Sequence, residues 1–553
     1  MPSPGQTPPP SQATLEPVRT TVTVVEKIAA EAPASISVLG SPEIRRIPGI
    51  NLDDRLRMVP GFSLFRRNSS LVAHPTTQGI SLRGVGASGA SRSLVLWDGV
   101  PINDPFGGWV YWTRVAPDQL SRVEVSRGAS TSVFGDRAMS GAIALFSREA
   151  EPHRLSGSYE FGNRNTNSAE LGYSHLWRRV AISGNGRAFT TNGFYIIPEE
   201  YRGAVDTEAG VRFVAGDIRV DLLGDRQRLF LKVDVLTEDR GNGTGIQRNS
   251  SGMGNIAAHY SRDWGRQGIS AIGYHTRAEF RSLFSTILAG RNSERQTFQQ
   301  TVPSEAFGGA GYWRYAGSRV RALIGADAQR VEGYSNDRFA TFTRVGGGSQ
   351  FQHGRFFQAD TKVGPVQFFL GARHHVPGAG RQFFSPSFGM AGGYKRIRAR
   401  GSLYRSFRAP TLNELYRQFA AGNATTLAND LLKPERVFGA EMGVDYVGEN
   451  NRASVTFFRN RLDDLVTNVT LRVTPTAITR QRQNAAQALT RGAEFEYKQR
   501  WRAWQAEPYL FADSRFFHQL ADPADPQASG SGNWVDRQDD FSRGGRAVLW
   551  CSI

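Results

Sequence analysis

Cysteine is nearly absent from this chain: Cys551 is the only one among 553 residues. That excludes an internal disulfide framework and a cysteine-based zinc cluster. Lysine is scarce too. Lys27, Lys232, Lys362, Lys395, Lys433 and Lys498 are the only six, so 61 of the 67 basic residues are arginine. No stretch approaches the ~20 consecutive apolar residues of a membrane helix. The chain opens MPSPGQTPPPSQ, without a basic and apolar leader, so an exported protein would have its leader outside this sequence. A concentrated basic stripe or tail is also missing. The net charge of +17 is spread along the chain, with 15 basic against 12 acidic residues up to position 150 and 52 against 38 beyond it. Diffuse arginine argues against a nucleic-acid interface and fits a lumen or a lipid-facing rim.

What is present is glycine, at 60 residues, together with 39% apolar and 11% aromatic residues, a composition that folds around a large core. Residues 1–34 read as a flexible segment, rich in Pro, Gln, Ser and Thr over residues 1–19 and containing a β-branched run at Thr21, Val22, Thr23, Val24 and Val25. Residues 35–150 read as a compact α+β domain. SISVLG, GISLRG, SLVLWDG, SRVEVSRG and AIALFS are its strands, and Asn51 is placed to cap a short helix, DDRLRMV, that stops before Pro60-Gly61.

Past Glu149 the texture changes. Leu229, Leu231, Val233 and Val235 interleave with Arg228, Lys232 and Asp234, and Ala493, Phe495 and Tyr497 interleave with Glu494, Glu496 and Lys498. About 16 to 18 such alternating segments run to residue 515. They fit a soluble β structure such as a propeller, or a transmembrane antiparallel β-barrel, apolar outward and polar inward. A propeller needs a repeat of about 40–50 residues, and none is found. Short polar turns next to long stretches, 239–254 and 284–305, favour the barrel.

Enzymatic motifs are weak. Gly84-Val-Gly86-Ala-Ser-Gly89 is a GxGxxG, but a strand rather than a helix follows it, which removes the dinucleotide site. No serine sits in a GxSxG elbow. His374 and His375 are adjacent, so strand geometry sends them to opposite faces.

The decisive pattern is a set of motifs in order. They are Ile80-Ser-Leu-Arg83-Gly84; Leu94-Val-Leu-Trp-Asp98-Gly99-Val-Pro101-Ile-Asn103-Asp104; Arg122-Val-Glu124-Val-Ser-Arg127-Gly128; and Val133-Phe134-Gly135 with Gly141-Ala-Ile143. Ser406-Phe-Arg408-Ala-Pro410-Thr-Leu412-Asn-Glu414 follows later, with Pro434-Glu435 and Glu441-Met-Gly443. Together these resemble TonB-dependent outer-membrane receptors over roughly residues 20–515. Trp97 departs from the family, which has a smaller aliphatic there.

The resemblance implies a mostly β fold: an α+β plug inside the lumen of a barrel of the roughly 22-stranded type, with the barrel over residues 151–515. It implies that further strands should follow, whereas residues 516–553 read as an irregular, aberrant tail, so the last strands are expected to be missing. Arg83, Asp98, Arg122, Glu124 and Arg127 would be charges between plug and wall, pairing partly with Glu414 or Glu435, while Gly84, Gly99, Gly128 and Gly135 would make tight turns. Thr21–Val25 resembles the TonB box, which binds a TonB-type periplasmic energy-coupling protein; a first plug strand is the alternative. Ligand contacts would come from Arg67, Arg92, Asn103, Asp104, Phe106, Trp109, Tyr111 and Trp112, unless the aromatics pack inside the plug. The function implied is active uptake of a scarce small ligand, a ferric siderophore or a cobalamin, across the outer membrane. Outer-membrane lipid and lipopolysaccharide are the surrounding partners; no enzyme, cofactor, resident metal or nucleic acid is implied. A non-transporting surface barrel and a soluble β-rich carbohydrate-active enzyme are the alternatives.

Overall fold

A computed structural model of the chain describes residues 21–25, 28–31, 33–66, 68–86, 89–128, 131–378, 382–421, 423–499 and 509–520. Strict alternation builds its wall. One sheet of 19 strands, antiparallel except where Ala424–Leu427 runs parallel to Ile478–Gln499, begins at Arg154–Gly162 and ends at Tyr509–Leu520. Two of the 19 are the short hairpin Phe419–Ala421 and Ala424–Leu427; the other 17 are wall strands, in the range the alternation gives. Among the described residues the first and last strands are not paired with each other. The last strand runs to Leu520, past the expected boundary at 515.

Strand Gln227–Gly241 shows how the residues choose their sides. Leu231, Val233 and Val235 are exposed outward, whereas Lys232, Asp234, Glu238 and Arg240 are buried inward. A two-residue period places every second side chain on one face, so the wall has an apolar outer face and a charged face turned to the lumen. Turns at one end have two or three residues, at 178–179, 224–226, 265–266 and 364–365. Most connections at the other end are longer, up to 195–208 and 409–434, although 163–165 has only three residues. The stretches 239–254 and 284–305 are not long loops. Only 242–247 and 288–293 lie outside strands, because the hairpins continue the sheet well beyond the apolar band: Glu294–Ala316 alone is 23 residues.

Inside the wall, the plug holds a five-stranded sheet in the order Ser35–Gly40, Leu120–Arg127, Gly141–Ser147, Leu94–Trp97, Val100–Pro101. A second small sheet pairs Phe62–Leu64 with Ile80–Leu82. Its core joins Leu39, Leu52, Leu56, Ile80, Val95, Trp97, Trp112, Val123, Ile143 and Leu145. Helix Leu52–Leu56 starts where expected, but Asn51 does not cap it. The Asn51 side chain is used sideways instead, donating to Ser70 Oγ at 2.9 Å and accepting from Arg187 of the wall at 3.1 Å. Thr21–Val25 pairs with Ile28–Glu31 in a separate two-stranded sheet and is not a strand of the plug sheet.

Candidate functional site

The motif charges meet the wall at three places. At the first, Arg83 donates through Nε and Nη2 to Glu494 at 3.2 and 3.0 Å, and through Nη1 to Glu441 at 2.5 Å. Arg127 lies 3.4 Å from Glu494 and 2.9 Å from Glu496, and its Nη2 also donates to Ser37 Oγ at 2.5 Å. Ser37 in turn donates to Glu496 at 2.8 Å. Two plug arginines and three wall glutamates thus share a buried cluster, in which guanidinium forks satisfy several carboxylate oxygens at once.

At the second place Arg92 grips Glu435 with Nε and Nη2, at 2.9 and 2.6 Å. Glu435 also accepts from Arg408 Nε at 2.7 Å, and Arg408 turns its remaining nitrogens on Glu414 at 2.8 and 2.9 Å. Glu435 is therefore the expected plug partner. Among the described residues Glu414 is not in an ion pair with the plug: it belongs to the wall's own Arg408, and it closes a capping box with Thr411 on the helix Leu412–Tyr416.

The third place is built on a hairpin. Asp98 and Gly99 have φ of +50° and +87°, the two left-handed positions of the tight turn that an Asp-Gly pair favours. The turn delivers the Asp98 carboxylate to Lys232 of the wall at 2.7 Å, with Arg219 at 3.9 Å and the Ser147 hydroxyl at 2.6 Å. Burial raises this carboxyl, but Lys232 and Arg219 outweigh it and hold it at about 2. Trp97 explains its own departure here: Lys232 Nζ sits 3.2 Å from the centre of its ring, while its Nε1 donates to Ser147. Nearby, Arg114 donates to Asp234 at 2.6 Å and Thr113 to Glu238 at 2.5 Å. Arg122 and Glu124 pair with each other along their own strand at 2.8 Å, with Arg122 lying over Phe146.

The residues expected to touch ligand lie elsewhere. Phe106, Trp109 and Tyr111 are buried against Phe189, Phe213, Leu236, Phe280, Val302 and Val331 of the wall, and Trp112 is in the plug core beside Phe62. Their large apolar area drives this burial, so in this conformation they present no flat surface to a ligand. Asn103 folds back on the backbone, accepting from Val95 N–H at 2.8 Å. Asp104 accepts from Gly107 N–H at 2.7 Å, and burial pushes its carboxyl up to about 6. Arg92 is the wall-gripping arginine described above. Arg67 lies outside the described residues. His374 points out and His375 in, as strand geometry requires. Among the described residues no group of three or more His, Cys, Asp or Glu side chains is arranged to hold a metal.

Sequence reasoning missed Glu441, Glu494 and Glu496 as partners. The signal was present, since all three are acidic residues at the inward positions of alternating strands. Only pairing across hundreds of residues says which arginine they meet.

A plug with these motifs, fastened inside this wall, matches known proteins along nearly the whole chain. Residues 29–142 match the family model of the TonB-dependent receptor plug domain, and residues 147–545 match that of the TonB dependent receptor-like β-barrel. The chain belongs to the TonB-dependent receptors. Membership implies an outer-membrane location. An iron-regulated outer membrane virulence protein of Vibrio cholerae is 22% identical over 463 residues, covering 80% of this chain and 68% of that protein. A vitamin B12 transporter, BtuB of Vibrio vulnificus, is 29% identical over 126 residues, covering 23% of this chain and 20% of its own. The crystal structure of the siderophore receptor PirA from Pseudomonas aeruginosa has the same fold, with a TM-score of 0.68 at 18% identity, covering 88% of this chain and 85% of that one. The TonB-dependent receptor fold therefore extends through strands that carry little sequence identity.

Proposed function

We propose that this receptor actively takes up a scarce small ligand across the outer membrane, a metal chelate such as a ferric siderophore or else a cobalamin. A TonB-type periplasmic protein would drive it, acting on Thr21–Val25. The observation that carries the reading is the fastening of the plug: buried ion pairs tie it to the wall at three places, so a ligand passes only when some of them part. Thr21–Val25 and Ile28–Glu31 pair only with each other among the described residues, which leaves a free edge for strand addition by a partner. The ligand classes named for the relatives support a chelate or a corrinoid. No bond of the ligand is made or broken. The outward apolar band sits in lipid and lipopolysaccharide.

The test compares uptake with binding. Proline at Val22 or Val24 removes a backbone donor and blocks strand addition. In cells expressing Val22→Pro or Val24→Pro, radiolabelled ligand should bind the surface as in the parent but should not accumulate. Accumulation equal to the parent's would remove the assignment of this segment.

A further inference from the structure

The short-turn end of the wall carries a belt of cations that neither the plug nor the uptake reading uses. Among the described residues its seven turns are 178–179, 224–226, 265–266, 317–319, 364–365, 395–396 and 448–450, and five of them hold exposed arginine or lysine. Only two carboxylates share these turns, and each is taken by a neighbouring turn: Asp225 by Arg179 at 3.3 Å, and Glu449 by Arg396 at 2.9 Å. The other five cations, Arg178, Arg226, Arg266, Arg319 and Lys395, form no ion pair among the described residues. The long connection 195–208 at the opposite end has the reverse balance, with Glu199, Glu200, Asp206 and Glu208 against Arg202. The excess of cations therefore belongs to one end of the wall.

Next to these turns the outward positions of the strands are aromatic. Trp177, Trp264, Tyr394 and Tyr446 lie at the strand ends, and Trp313 and Tyr315 stack with centres 6.3 Å apart and planes within 14°. Alternation puts them outside the wall: Leu171, Ile256, Phe307, Met390 and Met442, an even number of residues away on the same strands, are exposed outward. Lys395 Nζ lies 5.2 Å from the centre of the Tyr394 ring. Tryptophan and tyrosine collect at the level of lipid headgroups, where an apolar ring and a polar edge are both satisfied. The turns lie one step beyond, so their long cationic side chains reach the phosphate level. The cations follow the rim through successive hairpins from Arg178 to Arg396 instead of gathering into one patch. That is the layout of a surrounding lipid shell rather than of one docked protein.

We propose that Arg178, Arg226, Arg266, Arg319 and Lys395, with the aromatic rings beside them, form an annular site for anionic phospholipid of the phosphatidylglycerol class in the periplasmic leaflet. Each headgroup phosphodiester supplies a counter-charge that the turns lack. A zwitterionic lipid fills the same positions but brings no net negative charge, so charge makes the selection. The inference depends on the outer-membrane location that the family implies, and not on the identity or the uptake of a ligand.

The test places the purified full-length chain in nonionic micelles doped with brominated phosphatidylglycerol or brominated phosphatidylcholine. Quenching of tryptophan fluorescence is followed, with Trp177, Trp264 and Trp313 reporting from the same rim. The parent should prefer the anionic lipid about fivefold, the effect of one cation at an anionic headgroup, and added salt should lower the preference. Arg178→Gln, Arg226→Gln, Arg266→Gln, Arg319→Gln and Lys395→Gln combined should bring the two lipids close to equality. Lysine at the four arginine positions should keep the preference, and Arg295→Gln with Arg338→Gln at the opposite end should not change it. All five turn side chains are exposed, so circular dichroism and melting should match the parent. Equal quenching by the two lipids in the parent, or an undiminished preference in the folded five-fold variant, overturns the site. Retention of the parent but not the variant on purified peptidoglycan, without a lipid preference, overturns it in favour of a cell-wall polyanion. Accumulation of radiolabelled cyanocobalamin or iron(III) chelate is scored separately. A parent that shows the lipid preference but never accumulates either probe keeps this site and removes uptake. A parent that accumulates a probe without any lipid preference does the reverse.

Discussion

Arg83 of the plug and Glu494 of the wall, 411 residues apart in the chain, form a two-point pair at 3.2 and 3.0 Å, while the third Arg83 nitrogen holds Glu441. Arg83→Ala leaves both carboxylates buried without this partner. The expected loss is about 3–5 kcal/mol, read as a lower melting temperature and faster proteolysis of the plug in detergent. Arg83→Lys should not restore it, because an ammonium cannot fork onto two carboxylates.

Gly128 tests the same cluster from the backbone. Its φ is +74°, and a Cβ there would lie 2.7 Å from Glu441 Oε2. Gly128→Ala should cost at least about 1–2 kcal/mol from the left-handed conformation and should displace Glu441 from Arg83. Its effect combined with Arg83→Ala should fall short of the sum of the two; strict additivity in denaturant melts would refute the coupling.

Trp97 and Lys232 invite a double-mutant cycle. With Nζ 3.2 Å from the ring centre and also bonded to Asp98, the pair should show a coupling of about 1–2 kcal/mol in Trp97→Leu, Lys232→Met and the double variant. A coupling near zero would make Trp97 a space-filling residue only.

Two plug carboxyls give opposite pH signatures. Burial raises Asp104 from 3.8 to about 6, so its favourable contribution is complete below pH 3.8 and is lost as pH rises through 6. Asp104→Asn should therefore raise the melting temperature at pH 8, by the equivalent of about 3 kcal/mol, and change it little at pH 4. Asp98 is held at about 2, so its contribution is present above 3.8 and is lost only as pH falls through 2. Asp98→Asn should destabilise at pH 8 and at pH 5 alike. Equal responses of the two variants across this range would contradict the assigned environments.

The wall was legible in the sequence because an apolar outer face and a charged lumen face impose a two-residue period, as Leu231, Lys232, Val233 and Asp234 show. The plug was legible because its turns demand particular residues, such as Asp98-Gly99 at two left-handed positions. Partners were harder. Arg92 looked like a ligand contact because an arginine in a glycine-rich loop carries no mark of what it will meet, and Glu435 is 343 positions away. Phe106, Trp109 and Tyr111 looked like a binding surface because aromatic side chains serve burial and recognition equally well; the wall strands decide between the two. A stack of three phenylalanines at the wall was invisible for another reason. Phe284, Phe298 and Phe339 come together only through the register of three long strands, and the stretch 284–305 read as loop.

The place of Ser35–Gly40 in the plug has a mechanical consequence. It is the outermost strand of its sheet, paired on one side with Leu120–Arg127 and entered from the N-terminal segment. Tension applied ahead of Ser35 and across the strand would load its hydrogen bonds one after another, beginning at Ser35. Ser37, only two residues in, is the first anchor reached, and its departure takes a hydrogen-bond donor from Glu496 and an acceptor from Arg127. Such a pull would thus reach the cluster of Arg127 and Glu496 within the first few bonds broken.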